Sequence, residues 1–382
     1  FDDGLGSFEK IVSETAVGAC QLAGIVDQAA GQIGLPPVFT SNNVFGTQGK
    51  YSYDSYMHGR QYYFGLSAAV AYKVTDNLAV SAGVRGVYAT CNYYGYVENI
   101  TVGNMPLYKV LDPTKQNSAN IELSCDQSGK GFTPIIGIDY KTGKWNFAAK
   151  YEFKTRLRLK NKSVNKAPSI GNLADNLRAS YIAGGVPEAA ADMVLSNQNV
   201  QGAMVALKNH FDKNLTEAIG EYEDGKKIAG DIPAYLAVGV GYKPIDEVRV
   251  NVGFHWFDDK HATSYNDRQK LLDHGTVEYN AGVEVDVTKK ITLSTGWQNT
   301  NYGLSDEYMD DKSFVVSSNS VAVGGVYHIN KKMDLNVAYF HTFYNHKKTS
   351  ETVQLTPTQS LSYNSDYTRN NNVFAVGLDI NF

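Results

Sequence analysis

Apolar and polar residues alternate with period two along most of this chain, in eleven segments that come mostly in pairs across very short turns. In the first pair Phe64, Leu66, Ala68, Val70 and Tyr72 share one face, opposite Tyr63, Gly65, Ser67, Ala69 and Ala71. After the turn at 73–77 the apolar face resumes with Leu78, Val80, Ala82, Val84 and Tyr88, set against Ser81, Gly83 and Arg85. Extended chain sends successive side chains to opposite faces, so each pair predicts a β-hairpin. The turns at 141–144, 243–247, 287–290 and 329–332 repeat the pattern. Their apolar faces include Ile136/Ile138/Tyr140 with Trp145/Phe147/Tyr151, Leu236/Val238/Val240 with Val250/Val252/Phe254, and Val283/Val285 with Ile291/Leu293. The last strand carries Phe374, Val376, Leu378, Ile380 and Phe382.

The opposite faces are polar or small: Lys150, Glu152, Lys154, Arg249, Asn251, His255, Glu278, Glu284, Asp286, Ser294, Asn336 and Asp379. In a soluble sandwich the apolar faces would meet in a core. In a membrane barrel they face lipid, where a Lys or Arg at the midplane costs about 2–4 kcal/mol, and none interrupts them. Three features favour the membrane. Aromatic residues end the apolar stripes, as Tyr72, Tyr140, Phe153, Tyr242 and Trp256 do, where an interface girdle belongs. Short turns alternate with long polar connections at 92–130, 157–230, 257–275, 299–317 and 345–371, the asymmetry of periplasmic turns and extracellular loops. The final strand ends on an aromatic residue. The fold class expected is an all-β, transmembrane antiparallel β-barrel with helical extracellular loops.

If the C-terminal strand descends to the periplasm, the strand at 62–72 also descends and residues 1–58 form an extracellular loop, with the barrel over 59–382. A periplasmic N-terminus then requires an odd number of strands before the first visible one, because bacterial barrels are even. The start at Phe1, without initiator Met or signal peptide, fits a chain that continues upstream. Two loops carry their own structure. Residues 8–33 read as a helix unusually apolar for a loop; 170–223, within the loop 163–230, hold helical stretches at 173–182, 187–195 and 203–219.

Composition supports strands and tight turns, with 26 Tyr, 16 Phe and 35 Gly against 10 Pro. A net charge of -4 offers nucleic acid no basic face, so that partner is set aside. No apolar run of about 18 residues exists, which excludes a transmembrane helix but not a barrel. Cys20, Cys91 and Cys125 lack metal-ligand spacing; a bridge between Cys91 and Cys125 stays open.

The successive hairpins "GLSAAVAYKVTDNLAVSAGVRGVYA", "GFTPIIGIDYKTGKWNFAAKYEFKTRLRLK", "DIPAYLAVGVGYKPIDEVRVNVGFHWF" and "GTVEYNAGVEVDVTKKITLSTGW", with the terminal "FAVGLDINF", resemble the FadL/TodX-type outer-membrane transporters of long-chain fatty acids and other hydrophobic compounds. The resemblance covers residues 60–382. It implies fourteen strands and an N-terminal hatch, so that eleven strands here leave three missing, an odd number. It also implies the bacterial outer membrane, passive diffusion of a hydrophobic cargo, and contact with outer-membrane lipid and lipopolysaccharide.

No enzyme is expected, because the eight histidines are scattered and form no His-Glu-x-x-His or Gly-x-Ser-x-Gly arrangement. The acidic groups Asp258/Asp259/His261 and Asp306/Glu307/Asp310/Asp311 lack the Asn and Gly of a Ca²⁺ loop, and no metal or cofactor is expected. Charges inside the wall, among them Arg85, Lys150, Glu152, Arg249, Glu278 and Glu284, fit cross-strand bracing. The basic stretch Lys154, Arg156, Arg158, Lys160 and Lys162 fits a strand end gripping lipopolysaccharide phosphates, with a fatty-acid carboxylate as the alternative. First contact with a hydrophobic cargo falls to Phe8, Ile11, Val12, Leu22, Ile25 and Val26, with Leu35 and Phe39 behind them. The rival reading is a structural or receptor barrel whose long loops bind a macromolecule.

Overall fold

In the computed structural model, which describes residues 6–39, 50–112, 114–168, 170, 173–309, 314–356 and 359–380, the alternating segments form one large antiparallel sheet. Helix α1 (Gly6–Gln32) precedes strands β1 (Tyr51–Lys73), β2 (Leu78–Val102) and β3 (Met105–Pro106), then α2 (Tyr108–Leu111), β4 (Ile121–Thr142), β5 (Trp145–Glu152) and β6 (Arg158–Ser163). Helices α3 (Leu173–Ala183), α4 (Glu188–Ser196) and α5 (Gln198–Ile219) follow. Strands β7 (Lys227–Ala229), β8 (Tyr235–Ile245), β9 (Val248–Phe257), β10 (Val277–Thr288), β11 (Ile291–Asn301), β12 (Ser318–Asn330) and β13 (Met333–Tyr344) come next. A separate hairpin, β14 (Lys347–Thr356) and β15 (Gln359–Tyr367), precedes β16 (Asn370–Ile380).

The wall runs β1-β2-β4-β5-β8-β9-β10-β11-β12-β13-β16, eleven strands that coincide with the eleven alternating segments. Phe382 lies outside the described residues. Register explains why the alternation holds across the whole wall. Val248, Val285, Leu293, Gly325, Val337 and Val376 are successive Cα partners over six strands. One residue along, Arg249, Glu284, Ser294, Gly324, Ala338 and Ala375 form the next row. A one-residue slip would exchange the two, so the pattern pins the pairing.

The outward side chains are exposed and apolar, for example Val70 at 76%, Val323 at 59% and Val376 at 62%. Aromatic residues bound this band. Tyr72 and Phe64 on β1, Tyr140 and Phe132 on β4, and Trp145 on β5 and Phe153 just past its end stand eight residues apart. At about 3.3 Å per residue and a tilt of roughly 40° the two girdles are about 20 Å apart, close to the apolar height of an outer-membrane barrel.

Strands β8, β9, β10 and β11 have 10 to 12 residues, about what a tilted strand needs to cross a bilayer, whereas β1, β2 and β4 have 22 to 25. The extra length projects beyond the upper girdle, where the inner face changes character. On β2 it reads Ser81, Gly83 and Arg85 within the band, then Val87, Ala89, Cys91 and Val97, all buried, above it. The helices pack on this apolar extension. Phe8, Ile11, Val12, Leu22 and Val26 of α1 share one core with Met57, Val97, Ile121 and Leu123 of the strands and with Leu173, Leu177, Leu207 and Phe211 of α3 and α5. Because those strand residues lie on the inner face, the helices form a cap on the lumen side of the wall.

The register along β4 shifts by one residue between Ile135↔Glu152 below and Ser128↔Lys160 above. Faces therefore exchange: Trp145 and Phe147 point out in β5, whereas Leu157 and Leu159 above are buried against Ala89 and Cys91 inside. Two inner-face glycines of β4 make room for this turn of the chain. A Cβ on Gly129 would lie 2.6 Å from the Arg158 carbonyl oxygen, and one on Gly131 would lie 2.4 Å from Thr155 Cγ2. Gly129→Ala meets backbone that cannot swing aside. It is expected to cost the rim about 1–3 kcal/mol, read as faster proteolysis at 153–163 in the detergent-purified protein; unchanged cleavage would contradict the close approach.

Candidate functional site

Two structures face the interior, a polar wall and an apolar cap. On the wall, side chains from neighbouring strands join into two belts. In the upper belt Arg85 donates through both terminal nitrogens to Glu152, at 2.7 and 3.0 Å, and through Nε to Ser67 at 3.1 Å. Lys150 reaches the same carboxylate at 2.9 Å and lies over the Tyr235 ring. Tyr235 meets His255 edge to face, His255 Nδ1 lies 2.9 Å from Glu278, and Glu278 accepts from Gln298 and Thr300 at 3.0 and 2.9 Å.

The lower belt sits beside the short turns. Arg249 contacts Glu284 and grips Asp286 with two bonds of 2.8 and 2.5 Å, and Asp286 accepts from Thr292 at 2.7 Å. Thr292 lies 3.1 Å from His328 Nε2, whose Nδ1 is 2.8 Å from Asp334. The six charged wall residues anticipated from sequence, Arg85, Lys150, Glu152, Arg249, Glu278 and Glu284, are thus brought into two groups of opposite charges. Such pairs link strands; the upper group balances Arg85 and Lys150 against Glu152 and Glu278, whereas in the lower group Arg249 faces Glu284, Asp286 and, through Thr292 and His328, Asp334, which leaves it acidic.

The cap holds the apolar space. A small, partly enclosed cavity of about 20 Å³ lies between α1, α2, α3 and α5, lined by Thr15, Ala19, Leu22, Ala23, Leu107, Leu111, Ile170, Leu173, Leu177 and Leu207. Its lining is apolar but for Thr15, and at that size it holds about one methyl group or one water. Polar residues of α1 turn to partners elsewhere. Glu14 accepts from the Asn214 amide at 2.7 Å, and Asp27 accepts the Val38 and Phe39 backbone N–H groups at 2.9 and 3.2 Å. Tyr181 donates to Asp27 at 3.4 Å; burial and that carboxylate push its phenol well above the ordinary tyrosine range, so it stays a donor.

The apolar side of α1, where first contact with a cargo was expected, is packed against the barrel rim. Phe8, Ile11, Val12, Leu22, Val26 and Phe39 are all buried, and Ile25 and Leu35 pack half-buried against the same core. The helix is apolar on most of its circumference because it lies inside the cap. Of those eight residues only Leu22 lines the cavity. Sequence reading missed Leu107, Leu111, Ile170 and Leu207; the signal available was the Leu173, Leu177, Tyr181 spacing, which gives α3 one buried stripe.

Other candidates disperse. His261 pairs with Asp258 at 2.6 Å and Asp259 accepts the Thr276 N–H at 2.6 Å. Asp306 pairs with Lys347 at 2.6 Å, and Asp310 and Asp311 lie outside the described residues. Among the described residues no three His, Cys, Asp or Glu side chains gather as metal ligands. Cys91 and Cys125 are separate buried thiols on adjacent strands. In the basic stretch Lys154 and Arg158 engage the buried Asp231, while Arg156, Lys160 and Lys162 are exposed.

Comparison with known proteins bears on this arrangement. The model of a family described as outer membrane protein transport protein (OMPP1/FadL/TodX) matches residues 59–382. A Pseudomonas aeruginosa FadL homologue of known structure aligns with a TM-score of 0.55 at 13% identity, covering 86% of this chain and 74% of that one, which is a likeness of fold. The Ralstonia pickettii toluene transporter TbuX aligns at 0.43 and 13% identity, over 88% of this chain and 79% of its own. The Pseudomonas putida toluene transporter TodX aligns at 0.40 and 14%, over 86% and 70%. No curated protein matches the chain.

Proposed function

We infer, since this chain belongs to the OMPP1/FadL/TodX family of outer membrane transport proteins, that the apolar core of its cap is where a hydrophobic cargo is first held. The family places the chain in the bacterial outer membrane and makes it a transporter of hydrophobic compounds, not one of an enzyme family. The observation that carries the finer reading is the small, uncharged cavity between α1, α2, α3 and α5, set on the lumen side of the wall. A cargo there gains apolar contact that the polar interior of the wall does not offer.

The cargo we propose is a long-chain fatty acid. An acyl tail can enter between helices one methylene at a time, each buried CH₂ contributing about 0.8 kcal/mol, while its carboxylate stays in water. At about 20 Å³ the cavity must widen to admit it, so binding and helix movement are coupled. The partners of the outer face are membrane lipid and lipopolysaccharide. Backbone groups at the outer edges of β1 and β16, which pair with no strand among the described residues, cannot stay so in lipid, so the wall closes into a barrel.

Titrating the purified full-length protein in detergent with a fluorescent long-chain fatty acid is expected to give saturable binding that unlabelled fatty acid displaces. Toluene, tested in parallel, reports whether the cargo is instead a small hydrocarbon. No saturable binding of either would overturn the reading.

A further inference from the structure

Just above the upper girdle the outer face of the wall becomes cationic along one register row. Tyr62 of β1, Thr90 of β2, Ser128 of β4, Lys160 of β6 and Lys227 of β7 are successive Cα partners. The alternation of exposed Arg158 and Lys160 with buried Leu159 and Asn161 shows that this row points outward. The one-residue shift along β4 is what puts it there; without the shift both lysines would point into the lumen.

Lys160 and Lys227 are directly opposite each other, an arrangement that destabilises a sheet unless an anion lies between the two charges. Lys130, on the same face of β4 two residues below Ser128, adds a third cation, and none of the three has an ion pair among the described residues. Of the nearby carboxylates, Asp231 is held by Arg158 and the Leu157 N–H, and Asp126 accepts from the Asn92 amide at 2.8 Å. The hydroxyls of Ser128 and Thr90 in the same row are further donors to an oxyanion.

Height identifies the occupant. Lys130 stands two residues above Phe132, about 7 Å along the strand, and the row of Ser128, Lys160 and Lys227 four residues above it, about 13 Å, so the lysines lie just above the aromatic edge of the apolar band. Phosphates of outer-leaflet lipid lie at that level, and acyl chains below them would run down the exposed Tyr88 and Phe132. We propose that Lys130, Lys160 and Lys227 form a binding site for the phosphates of a phosphorylated outer-leaflet lipid, lipopolysaccharide. The site deepens the lipid-partner reading above and is independent of the cargo cavity.

The test uses full-length protein in detergent and native mass spectrometry with bisphosphorylated lipid A. The double variant Lys160→Gln/Lys227→Gln is expected to bind it more than tenfold more weakly, and Lys130→Gln about fivefold. Lipid A without phosphates should bind the unaltered protein as weakly as the double variant does. Lys331→Gln/Lys332→Gln, at a short turn on the far side of the membrane, should change nothing. Fatty-acid binding by the double variant should match the unaltered protein, which separates this site from the cargo reading and confirms folding. Undiminished lipid A binding by both rim variants overturns the proposal, as does displacement of lipid A by equimolar inorganic phosphate, which would mark a free-anion site.

Discussion

Leu177→Ala is expected to tighten the binding of a small apolar ligand while Leu22→Asp removes it, although both variants weaken the cap. Leu177 and Leu22 are 4% and 3% exposed and line the same cavity between the helices. Truncating Leu177 leaves a hole next to one that exists already. The cost is about 2–5 kcal/mol of cap stability, because the surroundings relax only in part. The enlarged space approaches the class of dry cavities of about 150 Å³ that take up benzene, so a ligand of that size should bind several-fold more tightly. Leu22→Asp puts a carboxylate among Leu107, Leu111 and Leu173 with no polar partner, and either its charge or the proton it captures interrupts the apolar lining. Binding should fall about tenfold or more, equivalent to roughly 1.4 kcal/mol. Titration with toluene and with a fluorescent fatty acid reads both effects, and heat-modifiable mobility on gels shows that the wall is intact. If the two variants bind as the unaltered protein does, cargo does not use this cavity.

The wall was legible because lipid imposes a strict rule on it. Each outward residue must be apolar, period two is the only pattern that satisfies this along a strand, and so Val70, Leu293 and Val376 announce their face without any tertiary information. Length was less legible. Above the girdle β1, β2 and β4 continue for about as many residues again, but there the inner face carries Val87, Ala89 and Cys91 and the outer face Thr90 and Asn92. The alternation inverts its meaning, which is why 92–130 reads as loop. Lys160 was legible as part of a basic strand end suited to lipopolysaccharide phosphates, but its row with Lys227 was not, since parity counted up from Trp145 sends Lys160 inward and the register shift at β4 turns it out.

The cap was legible as helices but not as a packed unit. An apolar helix such as α1 suits an exposed docking surface or a buried core equally well until its neighbours are known. What decides is the contact of Phe8 and Val26 with residues more than a hundred positions away, Leu177 and Phe211 among their shared core, and single-sequence periodicity carries no such information. The inner charges were legible as residues, and their pairing was in part. Arg249 with Glu284 is a direct register pair, whereas Arg85 reaches Glu152 across the intervening β4, whose Thr133 and Ile135 are their respective register partners.

Leu293→Arg is expected to cost the barrel about 1 kcal/mol in lipid, because the residue stands near the turn end of the apolar band, and Ser294→Arg, one residue along, close to nothing. Leu293 belongs to the row Val248, Val285, Leu293, Gly325, Val337 and Val376, two residues above the turn end of β11 and inside the band between the girdles. A guanidinium there must be dehydrated or must drag headgroups inward. Ser294 faces the other way, directly opposite Glu284, so an arginine in its place meets water and a carboxylate that Arg249 already shares. Reversible denaturant unfolding in lipid vesicles measures the two losses and their difference. Equal losses would mean that the apolar rows do not face lipid. The polar belts would then not line a passage, and the transport reading of the wall would fall with the orientation it depends on.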